Sequence, residues 1–357
     1  MGWTHHDLTA ITGAPIGEGI ITGYAFDAGG TRHVNFVSAH VGPQQQVTVH
    51  LHELWWHVDG SWHHEDLTSV AGGQVANCGN GYVFRCSRHL DFLGQGVDQL
   101  RWRRNGGWHH KDLLKASGAP FAYTGGAHGY PFVARGTQHV NYPDSIGHVH
   151  HLWRNDAGWH HEDLTEATGA PLAGGNAKGY AFEARRTQHV SYVGQDEHVH
   201  HLWRGAEGWH SLDLTAATGA PDAEPNRDCN GFVFPSHGTQ HVTFVGLDHH
   251  VHELVHDATG WHHHDLTAIA GGPQTQTAPF GYVFAGTRRV VYLGADNHVH
   301  QLTWGSGSWA DADLTAAAGA APTVDGDPMG FEFASHGSQH VVYLNDAGHV
   351  IELLGAP

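Results

Sequence analysis

Thirty-eight histidines in a chain of 357 residues are the first candidates for chemistry. An unperturbed imidazole titrates near pH 6.5, can act as acid or base, and ligates metals through either ring nitrogen. One set recurs at a fixed place, after Thr/Ser-Gln/Arg: His33, His89, His139, His189, His241 and His340, with Arg289 in the same place in one further copy. Twelve residues on, five copies carry a second polar residue, His151, His201, Glu253, Gln301 or Glu352; Glu53 and Gln99 hold that place in the other two, across turns of altered length. Antiparallel neighbours bring such pairs together on one face. A donor and an acceptor beside an aromatic ring suit a sugar, whose hydroxyls need polar partners and whose apolar face lies on the ring. The same residues equally describe buried hydrogen bonds that hold strands in register.

A second set is His-Val-His: His148 and His150, His198 and His200, His250 and His252, His298 and His300. Residues i and i+2 share a strand face, so both imidazoles could reach one divalent metal, with a third ligand from a neighbouring strand. A hydrogen-bonded ladder of imidazoles is the competing reading. The adjacent pairs His109-His110, His160-His161 and His262-His263 point to opposite faces and cannot chelate together. A third set is Asp-Leu-Thr, with Asp7, Asp66, Asp163, Asp213, Asp265 and Asp313, and with Asp112 before Leu113-Leu114. Such recurrence fits a cap on the following turn better than a catalytic acid.

The elements that carry these sets are repeats. Gly/Ser-Trp-x-x-x-Asp-Leu occurs seven times, at Trp3, Trp62, Trp108, Trp159, Trp209, Trp261 and Trp309, at spacings of 59, 46, 51, 50, 52 and 48. Gly-Tyr/Phe-x-Phe also occurs seven times, from Gly23, Gly81, Gly129, Gly179, Gly231, Gly281 and Gly330. Each unit holds four short runs of aromatic and β-branched residues separated by Gly, Asp and Asn turns. Four strands per unit of this length make a propeller blade. The chain is expected to be all-β, one seven-bladed propeller domain over 1–357, with blades near 23–68, 81–114, 129–165, 179–215, 231–267 and 281–315, and a last blade of 330–357 plus 2–9. Pairing of the N-terminal strand with the last blade would close the ring and remove an open edge. The copies differ: the first carries an insertion at Ser38–Gln46, the second reads Val97-Asp98-Gln99-Leu100 without the histidines, and Ala310-Asp311 replace the histidines after Trp309.

Composition narrows the partners. With 35 Asp and Glu against 17 Lys and Arg the formal charge is −18, and there is no basic run, so a phosphate backbone would be repelled and no nucleic-acid partner is expected. Protonating all 38 histidines would carry the charge to +20. No apolar run approaches a membrane span, and the first residues lack a signal-peptide pattern, which predicts no membrane insertion and a cytoplasmic chain or one exported without such a signal. Cys78, Cys86 and Cys229 make an odd count, and the first two are too far apart along a strand to pair.

His-Val-x-Tyr/Phe, a Gly/Asp turn, Val-His-Glu-Leu and then Gly-Trp resemble the blade pattern of the fungal and bacterial fucose-binding β-propeller lectins, across nearly the whole chain. In that family an Arg and a Glu bind sugar hydroxyls between blades and a tryptophan stacks on the ring. The resemblance implies polar pairs His241 with Glu253, His340 with Glu352, His33 with Glu53 and Arg289 with Gln301, and histidine replaces the family's arginine in most blades. His139 with His151 and His189 with His201 occupy the same positions, and Trp159, Trp209 and Trp261 are the candidate stacking platforms. The expected function is a lectin-like carbohydrate-binding propeller for glycans or glycoconjugates, with several unequal crevices and no required cofactor. A His-rich metal- or pH-responsive binding protein is the alternative, and an enzyme with a site at one mouth of the central channel is a third.

Overall fold

The computed structural model describes residues 2–42, 45–122, 126–275, 277–305, 307–324 and 326–356. It contains seven antiparallel four-stranded sheets arranged as a seven-bladed β-propeller. In the fourth blade the strands are Lys178–Phe182, Thr187–Val193, Val199–Arg204 and Trp209–Asp213, paired in that order from the channel outward. The seventh blade takes its outer strand from the start of the chain, Trp3–Asp7, which pairs with Val350–Gly355 from Trp3 opposite Gly355 to Asp7 opposite Ile351. Ring closure is therefore non-covalent and leaves no sheet edge in that blade unpaired on its inner strands.

The repeated motifs each have a packing reason. The glycine of Gly-Tyr/Phe-x-Phe lets the aromatic ring of the preceding blade lie flat on the backbone: a Cβ on Gly81 would run into Tyr24, and one on Gly330 into Tyr282. The second-strand residues Tyr142, Tyr192, Tyr292, Tyr343, Phe36, Phe92 and Phe244 are among the largest fully buried side chains. Tyr142, Tyr192 and Tyr343 donate their hydroxyls to backbone carbonyls of Pro120, Pro171 and Ala321 at 2.8, 2.7 and 2.6 Å, tying the connecting segments down.

Asp-Leu opens a five-residue helix in every connection and is followed by Thr in six of the seven, as in Leu164–Thr168. Asp163 Oδ1 accepts from the Glu166 N–H at 2.9 Å, Leu164 is fully buried, and Thr165 Oγ1 accepts from the Val149 N–H at 2.9 Å. The three letters of the motif are thus a cap, a core residue and a strand anchor. All seven aspartates, Asp7, Asp66, Asp112, Asp163, Asp213, Asp265 and Asp313, cap in this way.

The first-blade insertion lengthens a hairpin: its middle strands, Thr31–Val41 and Val47–His57, run eleven residues each, where the matching strands of the third blade, Thr137–Pro143 and Val149–Asn155, run seven. Pro43 and Gln44 of that insertion lie outside the described residues.

Candidate binding crevices between blades

The second-strand and third-strand polar residues meet on the lateral face of each blade, against the next blade in the ring. Three of the seven crevices share one arrangement. Between the first and second blades, Glu53 accepts from Arg88 Nη1 at 2.8 and 2.7 Å and from Tyr24 at 3.2 Å, and His33 Nδ1 stands 3.1 Å away. Between the fifth and sixth, Glu253 meets His241 Nδ1 at 2.9 Å and Arg288 Nη1 at 3.0 and 2.8 Å. Between the seventh and first, Glu352 takes Arg32 through Nε at 2.8 Å and Nη2 at 3.2 Å, His340 Nδ1 at 2.9 Å and His6 Nδ1 at 3.0 Å.

Each of these guanidiniums lies between indoles of its own blade. Arg32 stands 4.4 Å from the Trp56 ring and 4.8 Å from Trp62; Arg88 stands 4.4 Å from Trp102 and 4.9 Å from Trp108; Arg288 stands 4.7 Å from Trp304 and 5.0 Å from Trp309. A weakly hydrated planar cation suits such a slot. The strand register explains the stack, since Arg32, Trp56 and Trp62 lie opposite one another across three strands, as do Arg88, Trp102 and Trp108.

A carboxylate accepts only, so Nδ1 of His33, His241 and His340 carries the hydrogen, and Nε2 accepts from Thr31, Thr239 and Ser338 at 2.8, 2.7 and 2.9 Å. Burial disfavours the Glu53 charge, but Arg88 and His33 outweigh it and bring the carboxyl to about 2. Glu253 also falls to about 2, with burial again opposed by hydrogen bonds and charges of His241, His264 and Arg288.

The other four crevices lack the glutamate–arginine pair. His139 Nδ1 meets His151 Nε2 at 2.9 Å, and His189 Nδ1 meets His201 Nε2 at 3.1 Å. Gln188 reaches across from the fourth blade to His139 at 2.8 Å, and Gln138 from the third to His89 at 3.0 Å. Burial pushes His89, His139 and His201 down to about 3. Between the sixth and seventh blades Tyr282 donates to Gln301 at 3.4 Å and to Gln339 at 3.0 Å. Arg289 packs 5.9 Å from Phe284 and its Nε is buried without a partner.

The arginines that meet a glutamate come from the residue before the histidine position, one blade further on. Every Glu crevice faces an Arg from the next blade, and the Gln and His crevices face Gln138, Gln188, Gln240 and Gln339 instead. Reading Thr/Ser-Arg against Thr/Ser-Gln, shifted by one repeat, was the sequence signal for this.

Of the proposed stacking platforms, Trp209 covers His151 edge-on at 5.2 Å and Trp261 covers His201 at 5.1 Å. Trp159 is buried in the seam between the second and third blades among Val97, Leu113 and Leu152.

The His-Val-His pairs do not converge on a shared point. The first imidazole takes the capping aspartate, as His148 with Asp163 and His298 with Asp313, each at 2.7 Å. The second takes the fourth strand and the turn, as His252 with His263 at 2.9 Å and Asp248 at 2.9 Å, and His300 with Asp311 at 2.9 Å and Asp296 at 3.1 Å. His198 and His200 divide the same way, taking Asp213 and Asp196, and His250 takes Asp265. His150 takes His161. Among the described residues, the groups that bring three donor atoms within 4.8 Å use one histidine each: Asp248, His252 and Asp265, and Asp296, His298 and Asp313.

Fold and crevices together define a seven-bladed β-propeller with polar sites built at the seams of its blades. The chain is similar in structure to BP39L lectin from Burkholderia pseudomallei (TM-score 0.61, 13% identity, 95% of this chain and 96% of that one), to AofleA from Arthrobotrys oligospora (0.56, 12%, 87% and 89%), and to the fucose-specific lectin from Aleuria aurantia (0.53, 12%, 84% and 97%). The Aleuria lectin is described as six-bladed, one blade fewer than this ring. No protein-family model matches the chain, and no curated protein matches it in sequence.

Proposed function

We propose that this protein is a carbohydrate-binding, lectin-like propeller with unequal sugar sites in its inter-blade crevices, strongest at the three seams that hold a glutamate. The observation that supports this most is the recurrence, at three seams, of a carboxylate, a guanidinium, an imidazole and two indoles drawn from two blades. The carboxylates themselves are buried and fully used, so a sugar would meet the rim: the half-buried indoles of Trp56, Trp102 and Trp304 and the partly exposed imidazoles of His6 and His264. The Glu–Arg pair would hold that rim in place and pre-set its geometry. Several weak pockets on one ring gain avidity on a multivalent glycan surface. The lectins of similar fold include one named as fucose-specific and one solved with alpha methyl fucoside, which makes fucosylated glycans the first to try.

Glycan-array binding tests this, with Trp56→Ala, Trp102→Ala and Trp304→Ala each expected to remove part of the signal and the triple variant nearly all of it. A wild-type ring that retains no glycan at high surface density overturns the reading.

A second reading, a divalent metal on the fifth and sixth blades, is favoured by the two groups of three donors there. Titration with zinc followed by elemental analysis decides it; less than about 0.1 metal per chain rejects a tight site.

A further inference from the structure

The residue just before Gly-Tyr/Phe-x-Phe differs in nearly every blade: Thr22, Asn80, His128, Lys178, Asn230, Phe280 and Met329 in ring order. The strands His128–Phe132, Lys178–Phe182, Asn230–Phe234, Phe280–Phe284 and Met329–Phe333 all begin on it. All seven of these residues line a single cavity of about 290 Å³, which therefore lies on the ring axis at the mouth of the channel. Its wall is two-sided. Asn80, His128, Lys178 and Asn230 form one arc, and Phe280, Met329 and Ile21 form much of the other.

Asp228 and Asp327 enter the same cavity, each two residues before the ring position of its blade. Lys178 Nζ stands 3.0 Å from Asp228 Oδ2, and Asn176 donates to the same oxygen at 2.9 Å. Asp327 accepts from the Ala278 N–H at 2.9 Å, and among the described residues no cation stands within ion-pair distance of it. Asn80 and Asn230 are already engaged, bonding the backbone of Gly129 at 2.7 Å and Gly281 at 2.8 Å. His128 Nε2 is buried with no partner.

Two carboxylates face one ammonium, so the polar arc carries a net negative charge within a chain of charge −18. Asp327 is exposed to solvent at the channel mouth, so its carboxylate is open to a ligand. Burial, then the charge of Lys178, pushes His128 down to about 3, leaving a neutral ring. An incoming ammonium group would offer its N–H groups to the exposed, unpaired carboxylate of Asp327. The aromatic and thioether side chains opposite suit an apolar arm.

We propose that the channel mouth is a single-copy ligand site, separate from the seams, that takes a small primary ammonium compound bearing an apolar arm. A pocket of about this size sits at the small end of ligand sites, which fits a compound of amine size rather than an oligosaccharide.

Calorimetric titration with benzylammonium and hexylammonium tests the site on the full chain. Saturable binding of one equivalent is expected, weakened at least ~10-fold in Asp327→Asn and unchanged in Trp102→Ala. Met329→Ala is expected to weaken hexylammonium while leaving methylammonium, which lacks the arm, as it was. Benzyl alcohol, uncharged and of the same shape, should not bind. No saturation at about 10 mM amine overturns the proposal, as do equal affinities for wild type and Asp327→Asn. Loss of binding in Trp102→Ala would place the amine at a seam instead, against the proposal, whereas failure of the glycan experiments alone leaves these outcomes unaffected.

Discussion

Arg88 Nη1 lies 2.7 Å from Glu53 Oε2 across the seam between the second and first blades, and both side chains are almost fully buried. Breaking such a pair from one side leaves a charge in a dry seam, at a cost of about 3–5 kcal/mol, while replacing both partners together costs far less. The neighbouring seam already shows the neutral solution, with Gln99 in the glutamate position and Gln138 in the arginine position. Arg88→Gln is therefore expected to lower stability by about 3–5 kcal/mol, and Glu53→Gln with Arg88→Gln to recover most of it. Urea unfolding of the two singles and the double checks this; a double variant as weak as Arg88→Gln rejects the interchangeability of the two seam types.

Asp91 departs from its own repeat. The equivalent residues are Asn35, Asn141, Ser191, Thr243, Val291 and Val342, none of them ionisable, whereas the Asp91 carboxyl is fully buried, bonded through Oδ1 to Gln99 at 2.8 Å and unpartnered at Oδ2. Burial raises it to about 8. A raised carboxyl contributes stability that is complete below its unfolded value near 4 and is lost as pH rises toward 8. Asp91→Asn, which copies the first and third blades, is expected to gain stability over wild type as pH rises from 6 to 8.5, by about 1–3 kcal/mol at the upper end. A pH-independent difference between the two proteins contradicts the assignment.

Much of this architecture is legible from sequence because it is repeated. Asp-Leu, Gly-Tyr/Phe-x-Phe and the tryptophan pattern each solve one packing problem seven times, so a local motif reports a local contact. The seams are less legible, because their partners lie one repeat apart. His241 and Glu253 share a blade and are found by their spacing of twelve; Arg288, which completes the set, follows Glu253 by 35 residues and belongs to the next blade. Arg289 aligns with the histidine position and lies opposite Thr303 on the neighbouring strand, with Gln301 twelve residues on. The channel mouth is hidden for a further reason, since variation at Thr22 through Met329 reads as noise until the ring brings the seven positions around one axis.

The histidines set an acid limit on the fold. Burial lowers His33, His52, His89, His128, His139, His151, His189, His201, His241 and His340, with His52 at about 4 and His89, His128, His139 and His201 at about 3. For each, the unfolded chain takes up a proton near pH 6.5 and the native one does not, so stability falls as pH falls, by at most ~1.4 kcal/mol per pH unit per group. His148, His198 and His300 shift upward and oppose this, losing their contribution as pH rises. The lowered set is larger, and Glu53 and Glu253 reinforce it below their unfolded value. Cooperative unfolding is expected with a midpoint near pH 5, followed by tryptophan fluorescence, and His201→Gln should move that midpoint lower. A ring that stays folded to pH 3.5 would show that these imidazoles are not held neutral.

Closure of the ring depends on one short strand. Trp3–Asp7 contributes five paired residues to the last blade, sends His6 to Glu352 at 3.0 Å and Asp7 to His349 at 2.7 Å, and starts the helix Leu8–Thr12 that packs on the same blade. Removing residues 2–7 leaves Val350–Gly355 as an exposed edge and strips Glu352 of one partner, while Arg32 still holds it. An open edge recruits another strand, so the truncated protein is expected to be less stable and to associate with rising concentration, measured by light scattering on a sizing column. Connectivity itself is not what the ring needs. In the third and fifth blades the third and fourth strands are joined by tight hairpins, Asn155 to Gly158 and Asp257 to Gly260. Moving residues 2–14 to follow Gly355 through a comparable turn should restore the same pairing in a continuous blade, with stability within about 1 kcal/mol of the parent. A permuted chain that fails to fold, beside a truncated one that remains monomeric, would refute the N-terminal strand's role as the closing element of the ring.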